Sequence, residues 1–396
     1  MLTRPMARPP ATPAGGCEQR TAGCLPDPDQ LLLLRAALGA AAEAAGAWEQ
    51  WERRNGLDRP DEGSYRLLPL VYRNLSVQGY AGPQWNILRG IHRSVWSRNQ
   101  HLFHQLRPLM EELRADGVPL LLCKGVALAL SVYPDAGSRP MRDIDLLVPS
   151  AYGEAALRKL ENAGWKPLNW RPRRLDGSFL RFRHAMDLEA PGGSRVDLHW
   201  HALNLCCHDS GDEMFWRHAQ PMDFLGLSLQ TCHPTEHLLQ ACANGVVWSP
   251  VPPVRWAADS MLLLRGPVAI EWERLAQTAC RLEIAPYVAS ALSFLRREFD
   301  APVPAGVWQR LEEAHTSPAV RAEFARETAP FAPRTAWQDL LSFYALWRRS
   351  LGGAAPLWHA GRFVRHLQYA FELESAWSLP GRLARAAIRR STGTPA

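Results

Sequence analysis

Between residues 118 and 230 of this 396-residue chain, short apolar runs bounded by turn residues replace the helical spacing found on either side. The runs at residues 118–123 and 143–148 are short and end in turn residues, which predicts two buried strands, each followed by a short helix. Two further runs, residues 179–190 and 195–200, flank the turn at residues 191–194 and predict a β-hairpin. The chain is therefore expected to contain an α/β unit with a mixed sheet.

Helical periodicity dominates the rest of the chain. Apolar residues recur at helical spacing from Leu31 onwards and again after Thr231. The first residues are rich in Pro and Gly and are expected to be disordered. We expect an α+β protein whose mixed sheet and flanking helices are embedded in a largely helical chain. The predicted parts are a disordered tail (1–29), an N-terminal helical region (30–117), the α/β core (118–230) and an all-helical C-terminal domain (231–396).

Composition excludes several classes of protein. Hydrophobic residues make up 47% and charged residues 21% of the chain, values typical of a soluble globular protein. No apolar stretch reaches the roughly 18 residues of a membrane span. The net charge of +6 favours anionic partners, but tryptophans are not interleaved with basic residues, so nucleic acid is not an expected partner. The eight cysteines have no repeated spacing, which favours free thiols in the cytoplasm.

Asp143 and Asp145 are the first candidate site residues. Residues i and i+2 of a strand face the same side, so the two carboxylates project together while Ile144 points into the core. Pairing with neighbouring arginines is the alternative. Asp197, on a second apolar strand, supplies a third carboxylate. If the two strands lie side by side, the three acids can hold the two Mg²⁺ or Mn²⁺ ions that phosphoryl displacement uses.

Lys124 and Gly125 occupy the turn between the first strand and its helix. Gly125 allows backbone amides to approach a phosphate, and Lys124 supplies a point charge. Arg139 and Arg142 precede the acids and have two interpretations of equal weight: they reach over a triphosphate, or they form structural ion pairs.

These segments resemble a known family. The motif at residues 122–125, the segment 142–148 and the segment 196–200 are similar to the nucleotidyltransferase superfamily typified by DNA polymerase beta, and more narrowly to a bacterial family of uncharacterised nucleotidyltransferases. The resemblance implies a polymerase-beta-like core in which Asp143 and Asp145 bind metal and Asp197 is the third carboxylate. It extends more loosely from about Leu31 to about Ser350.

The resemblance also implies an activity. The expected reaction moves a nucleoside monophosphate from a nucleoside triphosphate, with ATP the expected nucleotide, to an acceptor hydroxyl on a peptide, a saccharide or a small molecule. Asp143 and Asp145 would hold both ions, and Asp197 would hold the catalytic ion and help to deprotonate the acceptor. Tailoring of a secondary product is the implied role.

One departure keeps two other functions open. The wider superfamily has Ser or Gly after its glycine, whereas Val126 follows Gly125 here. Without that hydroxyl, a binding module without turnover is an alternative. A metal-dependent transferase that uses a nucleotide-sugar is another, because such enzymes also carry Asp-x-Asp at a strand end.

Several other residues have competing interpretations. His199 faces the same side as Asp197 and is a candidate for supporting the metal ligands or for acting as a base, although a hydrogen-bonded strand histidine is the simpler interpretation. Asp187 lies opposite Asp197 in the hairpin and is the second choice for third carboxylate. A zinc site is disfavoured because the spacing matches no standard motif; its candidate residues are His199, His201, Cys206, Cys207 and His208.

The C-terminal half carries two further charged features. Arg255 and Asp259 are spaced as an i, i+4 ion pair on a helix. Residues 379–390 form a basic amphipathic segment whose arginines present a solvated face or, as the alternative, a surface for an anionic partner. These arginines are Arg382, Arg385, Arg389 and Arg390.

Overall fold

A computed structural model describes most of the chain between residues 24 and 384. The described residues are 24–58, 60–168, 178–181, 183–248, 253–314, 316–329, 340–341, 343–344, 347–349, 360–371, 373, 375–381 and 384. None of the helices in these ranges combines the length and the apolar composition that crossing a bilayer requires.

Helices account for most of the regular structure. They are α1 (Pro28–Leu38), α2 (Ala41–Asn55), α3 (Glu62–Tyr65), α4 (Leu68–Val77), α5 (Trp85–Ala115), α6 (Lys124–Ser131), α7 (Ser150–Asn162), α8 (Asp209–Arg217), α9 (Pro234–Gly245), α10 (Arg255–Leu264), α11 (Trp272–Arg281), α12 (Ala285–Phe299), α13 (Ala305–Glu313), α14 (Pro318–Thr328) and α15 (Ala360–Ala370). Short 3₁₀ turns lie at Ser178–Arg181 and Ala376–Ser378.

A single mixed sheet of seven strands lies within the described residues. The strands are β1 (Leu121–Cys123), β2 (Ile144–Leu147), β3 (Lys166–Pro167), β4 (Ala185–Glu189), β5 (Arg195–His199), β6 (Gln220–Phe224) and β7 (Leu227–Thr231). Their order is β3-β4-β5-β2-β1-β7-β6. β2 pairs with β5 in parallel and with β1 in antiparallel, and β7 runs parallel to β1. The predicted α+β class with a mixed sheet is confirmed.

The two faces of the sheet pack against different groups of side chains, as period-2 alternation requires. Ile144 and Leu146 of β2 join a core that includes the C-terminal half of α5 and one side of α7. Leu147 of β2 and Leu121 of β1 face the other way and join a second core. That second core contains residues of α1, α2 and α4 together with residues of α9 to α13. Helices from both ends of the chain therefore share the face of the sheet on which Asp145 lies.

The structure refines several boundaries. α1 begins at Pro28, where the Asp27 side chain accepts a hydrogen bond from the Gln30 amide, so ordered structure starts before residue 30. The first strand of the predicted hairpin begins at Ala185, and the residues around Phe179 form a 3₁₀ turn instead. The hairpin β6–β7 was not predicted as separate strands. Residues 1–23 of the predicted tail and the four arginines of residues 379–390 lie outside the described residues.

Candidate functional site

Three aspartates lie in one row across neighbouring strands. Asp145 of β2 is the direct partner of Asp197 on β5, and Asp197 is in turn the partner of Asp187 on β4. Directly paired residues project from the same face of a sheet. The structure thus brings together two of the three predicted carboxylates, with the second-choice Asp187 next in the row.

His199 contacts both of the central carboxylates. Its Nε2 lies 2.8 Å from Asp197 Oδ2 and 3.2 Å from Asp145 Oδ1. Burial alone lowers the pKa of His199, but the charge of Asp197 and the hydrogen bonds to both carboxylates raise it to about 9. The other ring nitrogen, Nδ1, is buried and has no hydrogen-bond partner among the described residues. His199 therefore holds the acid pair through Nε2 alone.

Lys124 places its ammonium group on the same acid pair. Nζ lies 2.9 Å from Asp145 Oδ1 and 3.1 Å from His199 Nε2. The residue has a φ of +43°, a conformation that is uncommon outside glycine and that tends to occur at functional sites. Burial opposes the charge of Lys124, but Asp145 and Asp197 outweigh it and raise its pKa, while the pKa of the Asp145 carboxyl is held below its usual range.

Gly125 lies at the start of α6 and is tightly enclosed. A Cβ atom at this position would lie 2.9 Å from Arg139 Nη1 and 3.2 Å from Met141 Sδ. Its amide points toward Asp145, with 3.5 Å from N to Oδ2. The N-terminal end of α6 therefore adds partial positive charge beside Asp145.

Asp143 lies just before β2 and outside the closest group of ligand atoms. Burial and the negative charges of Asp145, Asp197 and Asp187 raise its pKa to about 6, which places it in the same electrostatic environment. Arg255 partly offsets this repulsion. Asp143 thus lies in the electrostatic field of the acid pair, but it does not belong to the group whose ligand atoms lie within 4.8 Å of one another.

Two groups within the described ranges have ligand atoms close enough to share a metal ion. In the first, the ligand atoms of Asp145, Asp197 and His199 lie within 4.8 Å of one another. Two carboxylates suit Mg²⁺ or Mn²⁺. A metal-bound histidine almost always donates its other N–H to an acceptor, which His199 Nδ1 lacks, so His199 fits a supporting role better than a ligand role. The donor set fits a divalent cation held by Asp145 and Asp197.

The second group comprises His201, Asp209 and Asp212. Asp212 accepts a hydrogen bond of 2.7 Å from the Ala202 amide and lies 2.6 Å from His201 Nδ1. The other nitrogen of His201 donates to Leu180 O at 2.9 Å. These bonds satisfy the two buried side chains and fasten the end of β5 to α8, so a structural role accounts for them.

Arg139 is engaged by a buried carboxylate. Its Nε and Nη2 donate to the two oxygens of Asp259 at 2.9 and 2.8 Å, and the two side chains are only 3% and 9% exposed. Tyr133 donates to the same carboxylate at 2.6 Å. Of the two interpretations of Arg139, the structure shows the ion pair, which joins the segment before β2 to α10.

Arg142 and Arg255 each have a partner outside the acid row. The Arg142 side chain is 71% exposed and pairs with Glu62 of α3 at 3.2 Å. The expected ion pair between Arg255 and Asp259 is not formed, because Asp259 binds Arg139; Arg255 Nη1 instead donates to Pro140 O at 2.7 Å. The sequence indicates that Arg255 and Asp259 share a helix. It does not indicate that the partner of Asp259 is Arg139, 120 residues away.

The residues considered for zinc have separate partners. Cys206 donates to Leu282 O and Cys207 to Asn204 O, while His208 accepts a hydrogen bond from the Gly211 amide at the start of α8. A residue missed by the sequence analysis is His184, whose ring centroid lies 5.4 Å from that of His199. The position of His184 just before β4 is the only feature of the sequence that could have indicated its place near the site.

A comparison with known protein families identifies one that covers more than half of the chain. Residues 64–300 match the model of a family described as uncharacterised nucleotidyltransferase. Among solved structures, the chain is similar to an antigenic nucleotidyltransferase-like protein from Paracoccidioides brasiliensis, with 13% identity and a TM-score of 0.32, over 55% of this chain and 95% of that chain. No curated protein matches this chain. The family match includes all seven strands and therefore the whole acid row.

Proposed function

Because this chain belongs to the family of uncharacterised nucleotidyltransferases, we propose that it transfers a nucleoside monophosphate from a nucleoside triphosphate to an acceptor hydroxyl. The observation that carries the proposal is the direct pairing of Asp145 with Asp197 on parallel strands, within reach of a cation and beside Lys124. Two carboxylates that lie side by side on neighbouring strands can bind the metal ion of a metal–triphosphate complex.

Each site residue has a role in this reaction. Asp145 and Asp197 hold a divalent cation, Mg²⁺ or Mn²⁺, and Asp143 is available to a second one. When bound, the cation supplies Lewis-acid polarisation and neutralises phosphate charge. His199 orients both carboxylates through Nε2. Lys124 and the amides at the start of α6 bind phosphate oxygens.

The bond changes are those of an in-line displacement. The acceptor oxygen forms a bond to the α-phosphorus while the bond from that phosphorus to the bridging oxygen breaks, and the electron pair leaves with pyrophosphate. The hydroxyl proton passes to Asp197. Arg142, which is exposed near the acids, is free to contact the polyphosphate once it parts from Glu62.

Several finer assignments belong to the same proposal. ATP is the proposed nucleotide, and the acceptor is a peptide, a saccharide or a small molecule. We place the reaction in the cytoplasm, which the free thiols of the seven described cysteines support.

A binding module without turnover is the second candidate. Lys124 already neutralises Asp145, and Val126 offers no hydroxyl for a terminal phosphate. Such a module would bind metal and triphosphate and form no product.

The test has a binding arm and a turnover arm. The full chain is titrated with a non-hydrolysable ATP analogue and Mn²⁺, and is incubated with α-labelled ATP, Mg²⁺ and a panel of peptide and saccharide acceptors. Asp145→Asn and Asp197→Asn should lose metal-dependent binding and label transfer. Asp116→Asn, which alters an exposed carboxylate paired with Lys159, serves as the matched control.

The outcomes separate the candidates. Label transfer that is lost in both variants supports the transferase. Metal-dependent triphosphate binding without transfer of label to any acceptor favours the binding module. Preferential binding of a nucleotide-sugar would favour sugar transfer. Equal binding by wild type and Asp145→Asn would overturn the site assignment.

A further inference from the structure

Lys124 occupies the space that a metal ion bound to Asp145 needs. Its Nζ is 2.9 Å from Asp145 Oδ1 and 3.1 Å from His199 Nε2. Both residues belong to the group whose ligand atoms lie within 4.8 Å of one another. An ammonium group in hydrogen-bond contact with a ligand oxygen blocks that oxygen and repels a second cation. Lys124 therefore competes with a divalent ion for Oδ1 of Asp145.

The use of lysine at this position is itself informative. The 45 basic residues of the chain include only three lysines, which are Lys124, Lys159 and Lys166. An ammonium is a compact point charge on a flexible stem, whereas guanidinium is a broad, planar fork. A compact cation on a flexible side chain can occupy the position of a metal ion and can also move out of that position.

The backbone aims this side chain at the acids. Lys124 is the first residue of α6, directly after β1, and its positive φ turns the chain there. Cys123 of β1 is the direct partner of Asp145 on β2. Lys124 is the residue after Cys123, so its backbone lies close to the acid that its side chain binds. The contact is thus built into the connection between strand and helix.

We propose that Lys124 is an internal counter-cation that is exchanged for the divalent ion when the metal–triphosphate complex binds. The inference rests on the proposed function and adds to it the exchange of one cation for another when the nucleotide binds. Without nucleotide, Lys124 competes with metal for Asp145. With nucleotide, the released ammonium binds a phosphate oxygen, so metal binding and triphosphate binding favour each other.

The exchange predicts opposite effects of one substitution on two ligands. Lys124→Met removes the competitor, so the variant should bind Mn²⁺ alone about tenfold or more tightly than wild type. It also removes a phosphate contact, so the non-hydrolysable ATP analogue should enhance Mn²⁺ binding much less than in wild type. Free Mn²⁺ is measured by electron paramagnetic resonance at fixed pH, with and without the analogue.

Matched variants keep the result interpretable. Lys159→Met removes a half-buried ammonium that is paired with Asp116, away from the acid row, and should behave like wild type. Lys124→Gln removes the charge but keeps polarity, and replaces Lys124→Met if methionine unfolds the chain, as judged by circular dichroism. Unchanged or weaker Mn²⁺ binding by the folded, uncharged variant would overturn the exchange.

Asp145→Asn distinguishes the two levels of the proposal. If Asp145→Asn loses Mn²⁺ binding while the Lys124 variants match wild type, the metal site stands and only the exchange is wrong. If Asp145→Asn binds Mn²⁺ as wild type does, or if wild type binds none with or without the analogue, the proposed function and the exchange both fail.

Discussion

Asp145 and Asp197 lie directly opposite each other on the parallel strands β2 and β5. Two carboxylates at this spacing repel each other unless positive charge lies between them. In this structure Lys124 and His199 supply that charge, and the start of α6 points at the same group. The acid pair is therefore held in its ionised form by side chains of the protein itself.

The two acids of the Asp-x-Asp segment should differ in their effect on metal affinity. Asp145→Asn removes an oxygen ligand and should weaken Mn²⁺ binding by at least about 100-fold, whereas Asp143→Asn, outside the closest ligand group, should weaken it by about tenfold. Titration calorimetry with Mn²⁺ and the ATP analogue gives both affinities. Equal losses would mean that both aspartates hold the same ion.

Loss of the carboxylate on Asp259 should destabilise the fold. Asp259→Asn leaves the Arg139 charge buried without its partner and should lower the free energy of unfolding by about 3–5 kcal/mol. Tyr133→Phe removes one hydrogen bond to the same carboxylate and should cost about 1 kcal/mol. Urea denaturation measures both. A change below about 1 kcal/mol for Asp259→Asn would show that Arg139 is not held by this pair.

Acid sensitivity should arise in part at His237. Thr231 donates its hydroxyl hydrogen to Leu122 O, so the His237 Nε2–H donates to Thr231 Oγ1, and the buried Nδ1 has no partner among the described residues. A second proton on this ring would lack an acceptor. Burial accordingly lowers the pKa of His237 to about 4, below the value of 6.5 for an ordinary histidine.

The sign of this pH effect follows from the two pKa values. The unfolded chain binds the proton first, so the stability contributed by neutral His237 is complete above about pH 6.5 and is lost as the pH falls toward about 4. The loss amounts to at most about 3 kcal/mol. His237→Gln should reduce the pH dependence of the thermal-unfolding midpoint between pH 6.5 and 4. An unchanged pH profile would contradict the assignment.

Gly125 should not accept a side chain. Gly125→Ala places a methyl group 2.9 Å from Arg139 Nη1, and Arg139 cannot move without breaking its pair with Asp259. We expect a loss of about 1–3 kcal/mol in the free energy of unfolding. Gly90→Ala on α5 is the matched control, because nothing lies within 4 Å of the new atom and alanine favours a helix. Similar effects of both changes would rule out the clash.

Local alternation was enough to predict the central part of the site. Asp145 and Asp197 each lie between apolar residues, so a strand must bury the neighbours and present the acid. The pairing of β2 with β5 brings the two acids together as expected. The predicted place of Lys124 at a strand-to-helix turn also agrees with the start of α6. Short-range patterns carry this information.

Long-range partners were not predictable in the same way. Asp259 has an arginine four residues before it, which suggested a local pair, but the buried partner is Arg139. Likewise, nothing near β1 in the sequence shows that β7 lies beside it in parallel. The contact of Lys124 with Asp145 was also missed, because a helix start suggests phosphate binding and does not show which anion is nearest. Such contacts are set by packing of the whole chain.

The ion pair between Arg139 and Asp259 has a consequence for truncated forms. A fragment that ends after β7 would contain the seven described strands and the three aspartates of the acid row, yet it would lack the carboxylate that neutralises Arg139 next to Gly125. Excising the sheet would thus leave the Arg139 guanidinium without its counter-charge beside the turn at Gly125. The helices that follow residue 254 therefore support the turn at Gly125 through Asp259, although they contribute no residue to the acid row.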